Sequence, residues 1–323
     1  MREKGRKPVP VKWVFKTKLE PDGSERLKSR IVTKGYLQIP GVDFTEKFSP
    51  VATDTSTRII IGMTLYFLEK YDWVCEAFDV EAAFLEPYLD IEMFIEWPEG
   101  IVELGFITEE EYKNTCVQLQ RSMCGNVDAA LRWQREFTKY LVEQCGFKQC
   151  RSDPCILHYR ENGELKIVLS IHVDDSLCAG KKEDLEKLYQ KVREKYKITT
   201  LGEITMYLGV RYAWKRDEQG RKYVEATMKR NADEIIKYFE KVQKRAAKLA
   251  KTPGLQNTVL KNNEGEIVML EEYRSLVGKL MYYTVKVAPE CGNAVWDLAR
   301  HMKNPGVEHW KAMERPWKGS SVF

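Results

Sequence analysis

Residues 164–180 read ELKIVLSIHVDDSLCAG, two apolar runs separated by a pair of aspartates. β-Branched and apolar residues dominate both runs, which predicts the two strands of a hairpin that breaks at Gly180. Asp174 and Asp175 then lie at the tip of this hairpin. An ordinary exposed turn is enough to explain an isolated pair of acids, so their meaning depends on what else the fold brings to the tip.

Another acid follows a second apolar run, WVCEAFDV at residues 73–80, which predicts a strand that carries Asp79 near its end. The order of elements (helix, strand, helix, hairpin, helix, strand) predicts an α+β fold. We expect a split β-α-β arrangement, with helices on one side of an antiparallel sheet. Such a sheet brings Asp79 to the Asp174–Asp175 pair. Carboxylates on rigid strands are ligands that Mg²⁺ prefers, so the sequence allows a two-metal site here.

A basic hairpin is predicted upstream, where VKWVFKTKL (residues 11–19) and ERLKSRIV (residues 25–32) read as paired strands. The residues between them, 20–24, contain Pro and Asp-Gly, which favour a turn. A second turn of the Asp-x-x-Gly type is predicted at residues 217–220. The chain therefore offers a basic strand pair in addition to the acidic strand ends.

Three amphipathic helices are predicted from their apolar spacing, at residues 55–72, 128–144 and 182–196. Thr55 or Ser56 is expected to cap the first helix, because a hydroxyl at that position accepts a backbone hydrogen bond. Gly146 is placed where a glycine commonly ends the second helix.

Charge is unevenly distributed along a chain whose net charge is +4. Residues 1–50 carry twice as many Lys and Arg as Asp and Glu, whereas residues 71–112 carry thirteen acids and no Lys or Arg. A basic stripe follows at three- to four-residue steps: Lys237, Lys241, Lys244, Arg245, Lys248 and Lys251. Basic segments around an acidic centre suit a polyanion held near divalent metal, although a solvated charged surface explains the same pattern.

No apolar run approaches the roughly 18 residues of a membrane span, and the basic start lacks the apolar core of a secretory signal. We therefore expect an intracellular protein without a membrane partner, either cytoplasmic and particle-associated or nuclear. Eight cysteines without a CxxC pair are expected to be reduced thiols.

Several stretches, in order and with similar separations, resemble the successive blocks of copia-type (Pseudoviridae) LTR retrotransposon reverse transcriptases. They are KWVFKTKLEPDGSERLKSRIVTKGY, VDFTEKFSPVA, FDVEAAFLEPYLDIEMFIEWPEG, IHVDDSLCAG, YLGVRY and EYRSLVGKLMYYT. The resemblance covers nearly the whole chain. It implies an RNA-directed DNA polymerase with fingers, palm and thumb, whose partners are an RNA or DNA template with its primer and dNTPs. It gives no oligomeric state.

The resemblance also implies roles for individual residues. Asp79, Asp174 and Asp175 match the catalytic metal ligands, for Mg²⁺ with Mn²⁺ as a possible substitute. The implied dNTP-binding residues are Lys28, Arg30, Phe84 and Gly125, and the implied nucleic-acid-binding residues are Gly209, Lys241, Lys244 and Arg245. For Phe84, which matches a steric gate against the ribose 2′-OH, the alternative is a core phenylalanine. For the basic residues the alternative is a solvated surface.

The implied domains are fingers and palm in alternating segments, followed by the thumb. Their boundaries are 1–54 for the fingers hairpin, 55–112 for the first palm part, 113–127 for the second fingers part, 128–215 for the palm with the HVDD hairpin, 216–260 for the thumb and 261–323 for the start of a connection region. No RNase H domain is expected within the chain.

Three residues depart from the family pattern. His172 replaces an aromatic before VDD, a position that flanks the metal site without being a ligand. In SMCGNVDAALRW, which resembles SLYGLKQAPRAW, Val127 and Asp128 replace a lysine and a glutamine that should contact nucleotide or template. An acid beside a triphosphate is unfavourable, so weakened dNTP binding is expected. A catalytically weak or inactive remnant that binds nucleic acid is therefore an alternative, and a metal-dependent nuclease is a second one.

Overall fold

The structure is a computed structural model that describes residues 7–19, 24–247, 252–254 and 259–315. It has mixed α/β content, with 37% helix and 29% strand. The chain divides into two compact units, Met1–Glu203 and Ile204–Phe323. Except for Ser24, the turn predicted at residues 20–24 lies outside the described residues, as do Lys248 and Lys251 of the predicted basic stripe.

The first unit contains most of the elements predicted from sequence periodicity. Its strands and helices are β1 (Val11–Leu19), β2 (Glu25–Thr33), α1 (Asp54–Tyr71), β3 (Trp73–Val80), β4 (Tyr88–Ile95), α2 (Glu109–Asn114), β5 (Val117–Arg121), α3 (Ala129–Glu143), β6 (Lys148–Gln149), β7 (Ile156–Glu161), β8 (Glu164–His172), β9 (Asp175–Lys181), α4 (Lys182–Arg193) and β10 (Ile198–Glu203).

Six strands form an antiparallel sheet in the order β10-β3-β9-β8-β7-β6. On one face Phe78 packs against Phe137 of α3 and Tyr189 of α4. On the other face Trp73 packs against Phe67 of α1. The prediction of helices on one side of the sheet is therefore wrong. The central strand β3 is buried along nearly its whole length, so both of its faces need apolar cover.

Two local predictions also need correction. Helix α1 is capped by Thr53, whose side chain accepts a hydrogen bond from the Ser56 amide at 3.1 Å, and neither Thr55 nor Ser56 is the cap. Gly180 does not end its strand, because β9 continues to Lys181. A Cβ atom at Gly180 would lie 2.6 Å from the Lys166 carbonyl oxygen, so the glycine permits close approach of two strands.

The basic hairpin forms as predicted, with β1 and β2 paired antiparallel. Residues directly opposite each other share a face of such a pair. Lys16 is opposite Lys28, and Arg30 lies two residues further along, so one face is basic. Phe15 and Leu27 lie on the other face and are 76% and 84% exposed. The hairpin therefore presents two chemically different faces.

Within its described residues, the second unit combines a small sheet with four α-helices. Its elements are β11 (Met206–Tyr207), β12 (Val210–Arg216), β13 (Lys222–Thr227), α5 (Lys229–Gln243), α6 (Leu270–Val287), α7 (Gly292–Ala299) and α8 (Val307–Met313). One hydrophobic core joins residues of the predicted thumb, such as Phe239, to residues of the predicted connection region, such as Tyr273 and Trp310. In the part of the chain that the structure describes, no helix is long and apolar enough to cross a membrane. All eight cysteines are free.

Candidate functional site

The three predicted metal ligands meet at one end of the central sheet. Strand β3 pairs with β9 in a register that places Asp79 directly opposite Asp175. The Cβ atoms of such cross-strand neighbours lie about 5 Å apart. Asp174 precedes Asp175 in the β8–β9 turn, and its carbonyl oxygen accepts a hydrogen bond from the Val80 amide at 3.1 Å. The backbone thus holds the three acidic residues at neighbouring positions.

Burial and electrostatic repulsion raise the pKa values of Asp79 and Asp175. Burial raises the pKa of Asp79 to about 6, and the negative charges of Asp174 and Asp175 contribute to the rise. Burial also raises the pKa of Asp175, again with a contribution from Asp174. Such mutual effects require the carboxylates to be close and incompletely neutralised. The site therefore carries an excess of negative charge.

The chemistry of these donors fits a hard divalent cation, because carboxylate oxygens are its usual ligands and the excess negative charge favours it. The three aspartate side chains do not form a complete coordination site. Among the residues that the structure describes, no group of three or more His, Cys, Asp and Glu side chains is placed to hold a metal ion. Asp174 is exposed, so its carboxylate has room to turn.

The basic face of the β1–β2 hairpin is linked to this site. Burial and the neighbouring acids raise the pKa of Asp79, and the charge of Lys28 offsets a part of that rise. Arg30 is exposed on the same face. Lys28 thus acts electrostatically on Asp79, whereas the Arg30 side chain is open to solvent.

Phe84 lies in a short 3-10 helix, Ala83–Leu85, that follows β3. It is partly buried and packs against the hydrophobic core of the first unit. The preceding Ala82 adopts a left-handed conformation with φ of 55°, which turns the chain sharply after Asp79. A residue with one side on the core and one side exposed satisfies both the steric-gate and the core interpretation.

A glycine is required at position 125 by close contact with the β1–β2 hairpin. Its φ is 95°, and a Cβ atom built there would lie 2.3 Å from the carbonyl oxygen of Thr33. The Thr33 amide donates to the Cys124 carbonyl at 2.9 Å, and the Thr33 hydroxyl donates to Asn126 Oδ1 at 2.7 Å. The structure thus shows Gly125 in a backbone junction between this loop and β2.

Asp128 does not face a triphosphate site as an unpaired charge, which corrects the expectation drawn from its sequence position. It is only 4% exposed and immediately precedes α3. Arg132 Nε donates to Asp128 Oδ2 at 2.5 Å, and Arg132 Nη1 donates to Asp90 Oδ1 at 2.6 Å. The charge that replaces a glutamine is therefore neutralised within the protein.

Two residues of this region were missed by sequence reasoning. Arg132 could have been recognised, because it lies four residues after Asp128 and such pairs meet on one helix face. Trp133 was noted only as part of a motif, yet its indole nitrogen donates to the Val173 carbonyl in the turn before Asp174. No local pattern in the sequence indicates that contact.

A groove of about 1180 Å³ runs along the outer face of α3. Acidic and basic side chains alternate along it, and several are paired, including Arg121 with Glu86 and Arg135 with Glu46. Asp128 and Arg132 line the groove, whereas Asp79, Asp174 and Asp175 do not. The groove is therefore separate from the acidic strand ends.

In the second unit, Gly209 forms a turn between β11 and β12. Leu208 and Gly209 both have positive φ, 47° and 80°. The Tyr282 hydroxyl lies 3.5 Å from the Leu208 carbonyl oxygen, and a Cβ atom at Gly209 would lie 3.3 Å from the same hydroxyl. Gly209 is exposed, so its backbone is accessible.

The basic stripe of the sequence lies on α5 and just after it. Lys237 and Lys241 are exposed on α5, and Lys244 is exposed at its end. Arg245 forms an ion pair with Glu314 and lies over the Phe239 ring, 5.8 Å from its centroid. The structure therefore leaves the lysines open to solvent and engages Arg245 inside the unit.

Comparison with known proteins shows the family of the chain. The family described as reverse transcriptase (RNA-dependent DNA polymerase) matches residues 2–248, and the chain belongs to that family. It is a reverse transcriptase domain of the kind found in retrotransposon Pol polyproteins, as the resemblance predicted.

Relatives from plant and yeast transposons match most of the chain. A retrovirus-related Pol polyprotein from transposon TNT 1-94 of Nicotiana tabacum is 32% identical over 96% of this chain and 23% of its own length. The Pol polyprotein from transposon RE2 of Arabidopsis thaliana is 29% identical over 95% of this chain and 20% of its own length. A transposon Ty1-JR2 Gag-Pol polyprotein of Saccharomyces cerevisiae is 22% identical over 87% of this chain and 16% of its own length. The chain thus spans about a fifth of these relatives.

Proposed function

We propose that this chain is an RNA-directed DNA polymerase that adds dNTPs to a primer 3′-OH on an RNA or DNA template. One observation carries the proposal: Asp79 lies opposite Asp175 in the sheet, with Asp174 beside it. Nucleotidyl transfer builds negative charge on the attacking and leaving oxygens, and a site of this kind serves to neutralise it.

In this proposal Asp79, Asp174 and Asp175 hold divalent metal, Mg²⁺ or its substitute Mn²⁺. When bound, the cations supply charge neutralisation and Lewis acidity for an in-line displacement. The raised pKa of Asp79 supports this role, since a cation stabilises the ionised carboxylate that burial and its neighbours oppose. The protein contributes rigid strands that keep the three acids adjacent.

The dNTP is bound by residues that surround these strand ends. Lys28 binds the triphosphate as a point charge, and its electrostatic link to Asp79 supports this placement. Arg30 adds donors from the same hairpin face. Phe84 excludes a ribose 2′-OH with its exposed side, and Gly125 keeps its loop close to the hairpin so that Lys28 and Arg30 stay in position.

The right-hand architecture follows as part of the proposal. The β1–β2 hairpin and residues 113–127 form the fingers, and the six-stranded sheet with its helices forms the palm. The shared core of α5 to α8 supports a thumb that extends beyond the boundary at residue 260. Gly209 supports the primer end, while Lys241 and Lys244 contact the duplex backbone. Arg245 contributes through the shape of the unit, because Glu314 neutralises it.

Primer extension on an RNA template with Mg²⁺ or Mn²⁺ tests this function. The wild type should extend the primer, and Asp175→Asn should lower the rate by about a hundredfold to a thousandfold, the scale of removing a group that acts in the transition state. Glu183→Gln is the matched control, because this exposed acid lies beyond the opposite end of β9. Equal activity of wild type and Asp175→Asn contradicts the assignment.

The steric-gate role has its own test in the same assay. Phe84→Ala should admit ribonucleotides while retaining dNTP addition. A variant that discriminates between the two sugars as well as the wild type does would show that Phe84 acts only in the core.

The second candidate is a remnant that binds nucleic acid without polymerising. Val127 stands where the family pattern has a lysine, which favours the remnant. The pairing of Asp128 with Arg132, in contrast, removes the expected repulsion between Asp128 and the triphosphate. Primer-template binding measured by fluorescence anisotropy, combined with absent extension in both metals, identifies the remnant. Cleavage without added nucleotide identifies a nuclease.

A further inference from the structure

The turn that carries Asp174 is held in an unfavourable backbone conformation. Val173 has a φ of 60°, in the left-handed region. β-Branched residues rarely adopt that region, and such a conformation persists only where surrounding groups enforce it. Asp174 and Asp175 follow directly in the chain, so whatever enforces the conformation of Val173 also fixes the backbone from which their side chains extend.

Two hydrogen bonds from outside the turn hold its consecutive carbonyl groups. The Trp133 indole Nε1 donates to the Val173 oxygen at 2.6 Å. The Val80 amide donates to the backbone carbonyl oxygen of Asp174 at 3.1 Å. The second bond comes from the neighbouring strand β3, whereas the first comes from a side chain on α3, 40 residues earlier. Trp133 thus connects a helix on one face of the sheet to the turn.

The orientation of the Trp133 ring is fixed by its neighbours. The side chain is fully buried. Phe137 stacks on it with ring centroids 4.9 Å apart, and Tyr196 meets it edge to face at 5.3 Å. A ring packed on two sides cannot rotate to another rotamer, so its single N–H group points in one direction. A phenylalanine would fill most of the same space but would offer no donor.

We propose that Trp133 is a positioning residue of the polymerase centre, whose indole N–H fixes the Val173 carbonyl and thereby the backbone that carries Asp174 and Asp175. This inference rests on the proposed polymerase function and deepens it. Trp133 touches neither substrate nor metal in this scheme. It acts through the turn, so its loss changes the geometry of the transition state more than the binding of nucleotide.

Trp133→Phe tests the proposal in steady-state primer extension. The rate at saturating dNTP should fall about tenfold, which corresponds to about 1.4 kcal/mol of transition-state stabilisation. The KM for dNTP should stay within about twofold, because Lys28 and Arg30 are unchanged. A merely structural Trp133 predicts lower thermal stability with an unchanged kcat, and that outcome overturns the proposal.

Leu141→Ala is the matched control. Leu141 is fully buried in the same core and lies about two turns further along α3. Its truncation should reduce stability at least as much as Trp133→Phe, but kcat should remain at the wild-type value at a temperature where both variants are folded. An equal fall in kcat for the two variants would assign the effect to loss of packing and overturn the positioning role.

A measurement on the unaltered protein keeps the test independent of how the variants fold. The Trp133 indole N–H, assigned by its nuclear Overhauser contacts in the ¹⁵N-labelled chain, should exchange slowly with solvent. Rapid exchange would mean that the hydrogen bond to Val173 is absent and would overturn the proposal. Failure of the wild type to extend a primer is a different result: it refutes the polymerase function, while the exchange rate still decides whether Trp133 holds the turn.

Discussion

Asp79→Asn should stabilise the protein at neutral pH, although it should abolish polymerase activity. In the folded chain, burial and the charges of Asp174 and Asp175 raise the pKa of Asp79 from 3.8 to about 6. The ionised carboxylate is therefore disfavoured in the folded state. Asparagine has nearly the same shape and no charge, so the substitution removes this cost.

The sign of the pH dependence follows from proton linkage. Between pH 3.8 and about 6 the folded protein holds a proton on Asp79 that the unfolded chain has lost. Stability therefore falls as pH rises through this window, and the full cost is present above pH 6. Below pH 3.8 the carboxyl is neutral in both states, so Asp79→Asn should then have little effect.

The size of the gain follows from the same pKa. A change from 3.8 to about 6 corresponds to about 3 kcal/mol, at about 1.4 kcal/mol for each tenfold change in proton affinity. Asp79 is only partly buried, so solvent screening reduces this figure. We expect a gain of about 1 to 2 kcal/mol in the free energy of unfolding at pH 7.5 without divalent metal.

Urea denaturation of wild type and Asp79→Asn, followed between pH 4 and pH 8 without metal, measures this gain. Added Mg²⁺ should narrow the difference, because it stabilises only a site with its full set of carboxylates. Asp90→Asn is a control of opposite sign. A hydrogen bond from Arg132 holds the pKa of Asp90 below its usual value, so this variant should lose a little stability at neutral pH.

Two results would refute the reasoning. An Asp79→Asn variant that is less stable than the wild type at pH 7.5 would mean that the carboxylate is favourably paired in the folded state. A gain of equal size at pH 4 and pH 8 would mean that the effect does not arise from ionisation.

Three further predictions concern other parts of the chain. Gly125→Ala should lower the free energy of unfolding, measured by urea denaturation, by about 1 to 3 kcal/mol or more, because the alanine Cβ would overlap the Thr33 backbone. A variant as stable as the wild type would contradict the tight junction. Asp128→Asn should lower the free energy of unfolding by about 1.5 to 3 kcal/mol, because it weakens the hydrogen bond from Arg132, and it should not lower the KM for dNTP. A lower KM would show that the Asp128 carboxylate faces the triphosphate. Burial, together with the neighbouring His309, lowers the pKa of His301, so the melting temperature should fall as pH drops through about 6.5. His301→Leu should weaken this pH dependence. Identical pH profiles of the two proteins would exclude His301 as its cause.

Much of the fold could be predicted because its signals are local. Alternating or continuous apolar runs predicted the hairpin strands, and the order of blocks predicted the family that the comparisons show. The same runs predicted that Asp79 and the Asp174–Asp175 pair follow strands. Local periodicity encodes which residues of an element share a face, and residue types encode where a turn is favourable.

The sequence alone therefore determined the family, the acidic strand ends and the two strands of the basic hairpin. The tertiary structure decided which groups meet: Asp79 with Asp175 in the β3–β9 register, Asp128 with Arg132 and Asp90, and the Trp133 indole with the Val173 carbonyl. These contacts join positions far apart in the chain or depend on ring and guanidinium orientation. Packing of complete elements sets both, and of these contacts the Asp128–Arg132 pair alone, four residues apart, has a local signal in the sequence.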